Sequence, residues 1–121
     1  MGKRRPAENP VVHLELRTPN LARACAFYTQ LFTWRAETVH VASVSYMSIG
    51  LGQIDGGVVE DDSRAPLWLP YVEVPNVHET TQLAEELGAS IVLEPREGPA
   101  GWRSIVAAPA AGEIALWQPK R

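Results

Sequence analysis

The sequence contains few of the residues that build covalent cross-links. Cys25 is the only cysteine among 121 residues, so neither an intrachain disulfide nor a cysteine-rich zinc site can form. No apolar run reaches the roughly 20 residues that span a bilayer, and the first ten residues lack the apolar segment of a secretory signal. We therefore expect a protein of the reducing cytoplasm that does not associate with membranes.

Positive charge is also in short supply. The chain has 11 Lys and Arg against 14 Asp and Glu, which gives a formal net charge of −3. A nucleic-acid-binding domain usually carries a basic face, so this balance argues against one. The one basic run, Lys3-Arg4-Arg5, falls within residues 1–9, which we predict to be a flexible, solvated arm. Hydrophobic residues make up 45% of the chain, enough to build a core, and residues 10–121 have the length of one domain.

An internal repeat with an offset of 56 residues organises the chain. Asn20 corresponds to Asn76 at that offset, and the register holds without a gap from residue 10 to the C-terminus. Other pairs of the same class are Pro10 and Pro66, Leu31 and Leu87, Tyr46 and Trp102, Gly56 and Gly112, and Val58 and Ile114. Such a repeat indicates a duplicated structural unit. We predict one module over residues 10–60, a linker over 61–66 and a second module over 67–121.

Each copy begins with the pattern of a strand followed by a helix. Residues 11–17 alternate as in a half-buried strand, with Val12, Leu14 and Leu16 on one face and His13, Glu15 and Arg17 on the other. Asn20 and Asn76 stand where helix N-caps are expected, Glu79 has capping-box spacing, and Gly88 predicts a helix end. The predicted inner helix stripes are Leu21, Ala24, Cys25, Tyr28, Leu31 and Phe32 in the first copy, and Val77, Thr80, Ala84 and Leu87 in the second.

Three short β-type runs follow each helix, over residues 34–39, 44–49 and 57–59 in the first copy and 90–93, 103–107 and 113–117 in the second. Each module therefore reads βαβββ, and the fold class is α+β. One helix covers only one face of a sheet, so we expect the uncovered faces of the two sheets to enclose a concave cavity. The side chains predicted to line it are His13, Glu15, Arg17, Leu69, Tyr71, Glu73, Glu113, Ala115 and Trp117.

Three segments resemble the vicinal oxygen chelate superfamily, which includes glyoxalases, extradiol dioxygenases and bleomycin-resistance proteins. They are His13-Leu14-Glu15-Leu16 with Asn20-Leu21-Ala22-Arg23-Ala24 and Phe27-Tyr28, then Pro70-Tyr71-Val72-Glu73-Val74 with Ala84-Glu85-Glu86-Leu87-Gly88, and the ending from Pro109 to Pro119. The resemblance covers nearly the whole chain and implies two tandem βαβββ modules in a glyoxalase/bleomycin-resistance-like fold. It implies little about activity, because the superfamily hosts many chemistries.

The resemblance also implies positions for a divalent metal on the first and last strands of each module. His13 matches one ligand, but the three corresponding positions are aliphatic: Val59, Leu69 and Ala115. One imidazole cannot hold a catalytic divalent ion, which needs about three protein ligands. We therefore predict no metal and no other cofactor. A site shifted onto Glu15 and Glu113 is the alternative.

The predicted ligand-binding residues combine polar and aromatic side chains: His13, Glu15, Tyr71, Glu73, Trp102, Glu113 and Trp117. His13 suits acid–base chemistry because imidazole titrates near neutral pH, and Glu113 is its candidate catalytic partner. The structural alternatives are a lone histidine in a polar cleft, glutamates paired with Arg17, and aromatic rings that pack in a core or at a dimer interface. We expect structural packing roles for Cys25, Trp34 and Trp68.

Our first functional hypothesis is a metal-independent small-molecule-binding protein that sequesters an aromatic or cationic compound such as an antibiotic. The second is a lyase or isomerase in which His13 and a carboxylate act as acid and base. The third is an accessory subunit whose groove binds another protein. Open sheet edges and the resemblance favour a homodimer, whose second chain would complete the cavity.

Overall fold

The computed structural model describes residues 8–41, 44–63 and 65–120; the basic run at residues 3–5 lies outside them. Its eight strands and two helices, in chain order, are β1 (Val11–Thr18), α1 (Leu21–Leu31), β2 (Ala36–Val41), β3 (Val44–Gly50), β4 (Asp55–Glu60), β5 (Leu67–Glu73), α2 (Val77–Glu86), β6 (Ser90–Glu97), β7 (Gly101–Ala108) and β8 (Gly112–Pro119). Within the described residues no helix is long and apolar enough to cross a membrane. The order is βαβββ twice, as predicted.

The helix starts fall at the predicted caps. The Asn20 carboxamide oxygen accepts a hydrogen bond from the Arg23 N–H at 3.0 Å, and the Asn76 oxygen accepts one from the Glu79 N–H at 3.1 Å. Each bond satisfies a donor that has no partner inside its helix. Gly88, two residues past α2, has φ +103°, a conformation that glycine adopts without steric cost. The first residues of α1 and α2 are 56 positions apart, which matches the sequence repeat.

The chain forms two compact units. The first spans residues 12–71, and its strands lie in the order β2-β3-β4-β1, with β1 parallel to β4 and the other pairs antiparallel. The helix α1 packs on this unit through a buried cluster of Leu16, Cys25, Ile49 and Val58. Cys25 is therefore a core residue, as the helical spacing predicted.

The second unit comprises residues 8–11 and 72–120. Its antiparallel strands lie in the order β8-β7-β6, and its core cluster is Val74, Val77, Val106 and Leu116. Thr81 of α2 shares a 2.6 Å hydrogen bond with Ser104 of β7, and both residues are buried. This hydroxyl pair joins the helix to the sheet inside an otherwise apolar contact.

Parts of the predicted helix stripes are wrong. Leu31, Phe32 and Leu87 are 57%, 44% and 70% exposed. Leu31 and Leu87 occupy equivalent positions at the margin of each stripe, and Phe32 is the C-cap residue of α1, where the extended backbone leaves the helix face. In α2 the predicted Val77 is buried, but the second buried residue is Thr81, which is 2% exposed, rather than the predicted Thr80.

Candidate functional site

The candidate site lies on the face of β1 that points away from α1. Leu16 belongs to the core beneath the helix, and side chains alternate along a strand. His13, Glu15 and Arg17 therefore share the opposite face, as predicted from the sequence. On the same face of the neighbouring parallel strand, Asp55 pairs in register with His13, and Gly57 pairs with Glu15.

Glu15 is the centre of a buried hydrogen-bond network. Its side chain accepts a hydrogen bond from the Arg17 Nε at 2.8 Å and another from the Tyr71 hydroxyl at 3.1 Å. The Arg17 guanidinium also lies 3.5 Å from the carboxylate of Asp61. Glu15 is only 7% exposed, and a buried carboxylate is stable only when it is paired and hydrogen-bonded. We call this cluster the polar centre; it comprises His13, Glu15, Arg17 and Tyr71.

The imidazole of His13 lies edge-on to the Tyr71 ring, with centroids 5.1 Å apart and planes at 76°. Gly57 provides the surface beside it: a Cβ there would lie 3.5 Å from His13 Nε2 and 3.6 Å from Cδ2 of Tyr46. These are ordinary contact distances, so any larger side chain at this position would cover the imidazole. Gly57 therefore lies beside both the His13 and the Tyr46 rings on this face of β4.

Burial and charge set the protonation of the polar centre. Burial lowers the pKa of His13 below its ordinary value of 6.5, against the opposing effect of the Glu15 and Asp55 carboxylates. The imidazole is therefore neutral at pH 7 and has a lone pair to offer. Burial also disfavours the Arg17 cation, but the Glu15 carboxylate and the Tyr71 hydroxyl outweigh that effect and raise the pKa of Arg17.

The structure thus brings together three of the predicted ligand-binding residues, His13, Glu15 and Tyr71. It also shows Arg17 as the partner of Glu15, which was the structural alternative for a glutamate on this face. Asp55, Gly57 and Asp61 were not predicted as residues of this site. Their only signal would have been the parallel register between β1 and β4, which amino-acid patterns do not reveal.

The remaining predicted residues belong to the second unit. Glu73 ends β5, where its N–H donates to the Pro10 carbonyl at 2.9 Å. Glu113 and Trp117 lie on the face of β8 opposite α2, because the alternate residue Leu116 belongs to the core beneath that helix.

Trp102 does not share that face. Its ring packs against the core beneath α2, with the Lys120 ammonium 5.6 Å from the ring centroid. A ligand that contacts Glu113 and Trp117 from their side of the sheet cannot reach Trp102.

The side chains of the first unit do not fit the metal implied by the fold family. Glu15 already pairs with Arg17 and Tyr71, and Leu69 and Val59 offer no ligand atom. In the part of the chain that the structure describes, no three His, Cys, Asp or Glu side chains are grouped as a metal site. His13 alone is too small a donor set.

No family model matches the sequence, and no curated protein matches it. Similar folds do occur among solved structures. A hypothetical protein of Bacillus halodurans is similar with a TM-score of 0.71 and 14% identity over 95% of this chain and 97% of that one. A methylmalonyl-CoA epimerase of Mycobacterium tuberculosis gives 0.62 and 14% over 92% and 88%. The Streptomyces coelicolor epimerase in complex with 2-nitronate-propionyl-CoA gives 0.66 and 12% over 95% and 100%.

Methylmalonyl-CoA epimerases are members of the vicinal oxygen chelate superfamily. The predicted glyoxalase-like α+β fold is therefore confirmed. At this level of identity the similarity shows the fold alone, because one fold supports many activities. The predicted site roles, homodimer and cytoplasmic location stay predictions.

Proposed function

We propose that this protein binds a small organic molecule without a metal, and that the polar centre recognises a cationic group attached to an aromatic or similar flat body. The observation that carries the proposal is the buried carboxylate of Glu15, held in place by Arg17 and Tyr71 beside a neutral imidazole. A side chain fixed by two hydrogen bonds is preorganised for a ligand, so little ordering cost remains at binding.

The charge balance around the polar centre favours a cation. The carboxylates of Glu15 and Asp55 act on His13, and those of Glu15 and Asp61 lie beside Arg17, while burial keeps His13 neutral. Excess negative charge beside a partly buried surface attracts cations to it. The rings of Tyr71 and Tyr46 add faces and edges against which a cation or a flat ring can pack.

The test compares a cation with a neutral molecule of the same shape. Benzyltrimethylammonium and neopentylbenzene would be titrated into EDTA-treated protein, with heats or NMR shifts as the readout. We expect saturable binding of the cation and at least about tenfold weaker binding of the neutral molecule, about 1.4 kcal/mol. Glu15→Gln should remove this preference, whereas Glu94→Gln on the exposed side of β6 should keep it. Equal binding of both molecules, or binding that requires an added divalent metal, would contradict the proposal.

A second candidate function is an isomerase that moves a proton on carbon. The lowered pKa of His13 favours it, because a neutral imidazole can accept a proton at physiological pH. Epimerases with this fold supply the precedent. Inversion at a carbon–hydrogen stereocentre needs one group to remove the proton and another to return one. His13 would be the acceptor and a carboxylate the partner.

Proton exchange tests this second function without requiring knowledge of the product. Methylmalonyl-CoA would be incubated with the protein in D2O, and mass spectrometry would follow deuterium uptake at the carbon between the carbonyls. Enzyme-dependent uptake that His13→Gln abolishes supports the isomerase. Uptake at the uncatalysed rate, together with cation binding in the previous experiment, leaves the binding function alone.

A further inference from the structure

The first unit contains an apolar cleft on the side of its sheet opposite the polar centre. The cleft has a volume of about 310 Å³ and is lined by Leu14, Tyr28, Trp34, Leu51, Ile54 and Trp68. Sites for small organic molecules begin at about this size. Leu14 and His13 are neighbours on β1, so the cleft and the polar centre lie on opposite faces of one strand.

Stacked and edge-on rings form the aromatic wall of the cleft. The Tyr28 ring lies 5.8 Å from Trp34, with planes only 29° apart, and 5.5 Å from Trp68 at 73°. Phe32 continues the group, with its centroid 4.7 Å from Trp34, and is 44% exposed. Tyr28, Trp34 and Trp68 are half-buried and Phe32 is exposed, so part of this aromatic surface lies next to solvent.

The opposite wall is a short loop over β4. Leu51 reaches back over Gly56, where a Cβ would come within 2.5 Å of Leu51 Cδ1. Gly56 therefore leaves the space that Leu51 occupies. The chain reverses at Gly52, which has φ +107°, so that Ile54 also lines the cleft.

The chemistry of the lining indicates a neutral ligand. None of the six side chains carries a charge. Their polar atoms are the Trp34 indole N–H, the Tyr28 hydroxyl and the Trp68 indole N–H, and Trp68 donates to Tyr28. The last two atoms are 3.4 Å apart, which is long for a hydrogen bond. An anionic ligand would lose hydration without finding a cationic partner among these side chains.

We infer that this cleft is a second binding site, for a neutral, planar aromatic molecule with one hydrogen-bonding group on its rim. The ring system inserts between the aromatic wall and the loop, and its rim group bonds to Tyr28 or Trp68. This site is independent of the proposed function of the polar centre.

The chain's four tryptophans provide a built-in test. With indole nitrogens labelled by ¹⁵N, 2-naphthol would be titrated and the four N–H signals, assigned by single Trp→Phe variants, followed by NMR. Trp34 and Trp68 should shift saturably, while Trp102 and Trp117 of the second unit should stay in place. The anion 2-naphthoate, with the same rings, should bind at least about tenfold more weakly.

Variants of the cleft complete the experiment. Ile54→Phe fills the cleft and should weaken 2-naphthol binding at least about tenfold, and Leu51→Phe provides a second filling variant if the first unfolds. Leu83→Phe, on the exposed face of α2, is the matched control and should bind like the original protein. Shifts of all four indoles alike, equal binding of the anion, or unchanged affinity in a folded filling variant would each overturn the inference.

Discussion

Replacement of Arg17 by methionine would test whether Glu15 is a preorganised, paired carboxylate. The variant keeps most of the apolar stem of the side chain but removes the guanidinium that donates to Glu15 at 2.8 Å. The carboxylate would then remain buried, with the Tyr71 hydroxyl at 3.1 Å still donating to it. We expect Arg17→Met to destabilise the fold far more than a substitution at the surface.

The expected magnitude follows from the burial of the pair. The side chains of Arg17 and Glu15 are 19% and 9% exposed, so both charges are largely removed from water. Removal of one partner from a fully buried pair costs about 3–5 kcal/mol, because the other charge is left uncompensated. Since Arg17 keeps some exposure and Tyr71 still donates to Glu15, we expect a loss of about 2–3 kcal/mol in the free energy of unfolding.

Urea unfolding at pH 7, followed by tryptophan fluorescence, would measure this loss. Arg96→Met, an exposed arginine on β6, is the control and should change stability by less than about 0.5 kcal/mol. The double variant Arg17→Met/Glu15→Gln removes both charges and should be more stable than Arg17→Met alone. If the double variant instead loses the sum of the two single effects, the guanidinium stabilises through packing of its stem and the charge argument is refuted.

Three further predictions concern burial and backbone contact. Thr81→Val leaves the buried Ser104 hydroxyl without its 2.6 Å partner and should lower the free energy of unfolding in urea by about 1–3 kcal/mol. Adding Ser104→Ala removes the unpaired hydroxyl and should recover part of this loss. A double variant less stable than Thr81→Val alone would contradict the prediction. Burial lowers the pKa of His13, so the neutral imidazole contributes its full stability above pH 6.5, and this contribution is lost as pH falls through the folded pKa. The difference in unfolding free energy between the original protein and His13→Gln should therefore shrink as the pH falls. A difference that grows on acidification would refute the assignment. Gly101→Ala puts a Cβ against backbone atoms, with its nearest contact to the Gln118 carbonyl oxygen, and should destabilise the fold by about 1–3 kcal/mol. Gly50→Ala is the control, because a Cβ there meets nothing within 4 Å. Equal losses of stability in the two variants would show that backbone contact is not the cause.

Local chemistry explains why much of the fold could be predicted. Asn20 and Asn76 cap helices because a carboxamide oxygen satisfies a free backbone donor wherever that helix lies in the molecule. The alternation of apolar and polar side chains along β1 is equally local, because successive side chains point to opposite faces and one face is buried. The placement of His13 and Glu15 on the same face followed directly from it.

The strand ends were less predictable where an edge strand tolerates irregularity. The sequence pattern predicted a β-type run over residues 90–93, but β6 continues past Pro95 to Glu97. Its pairing with β7 shifts register between Ile91 and Leu93 and again between Leu93 and Arg96. Such shifts accommodate a proline that cannot donate to the ladder, and they are common on edge strands.

The neighbours of the polar centre could not be predicted, because they depend on pairing between distant strands. Asp55 faces His13 only because β1 and β4 run parallel in one particular register. A slip of one residue would place Asp55 on the helix side of the sheet and remove its charge from the imidazole. Sequence patterns therefore identified His13 and Glu15 but not Asp55, the second carboxylate that acts on the pKa of His13.

The two proposed sites draw on alternate residues of the same strand, which makes them separable by mutation. A substitution at His13 changes the polar centre, and one at Leu14 changes the cleft, although the two residues share a peptide bond. Successive side chains of a strand point to opposite faces of the sheet, so adjacent residues can contact different ligands. If both sites bind as proposed, benzyltrimethylammonium and 2-naphthol should occupy the protein together, each with an affinity unaffected by the other. If each molecule instead excluded the other, one pocket would bind both, and the polar and apolar faces of β1 would not be separate binding sites.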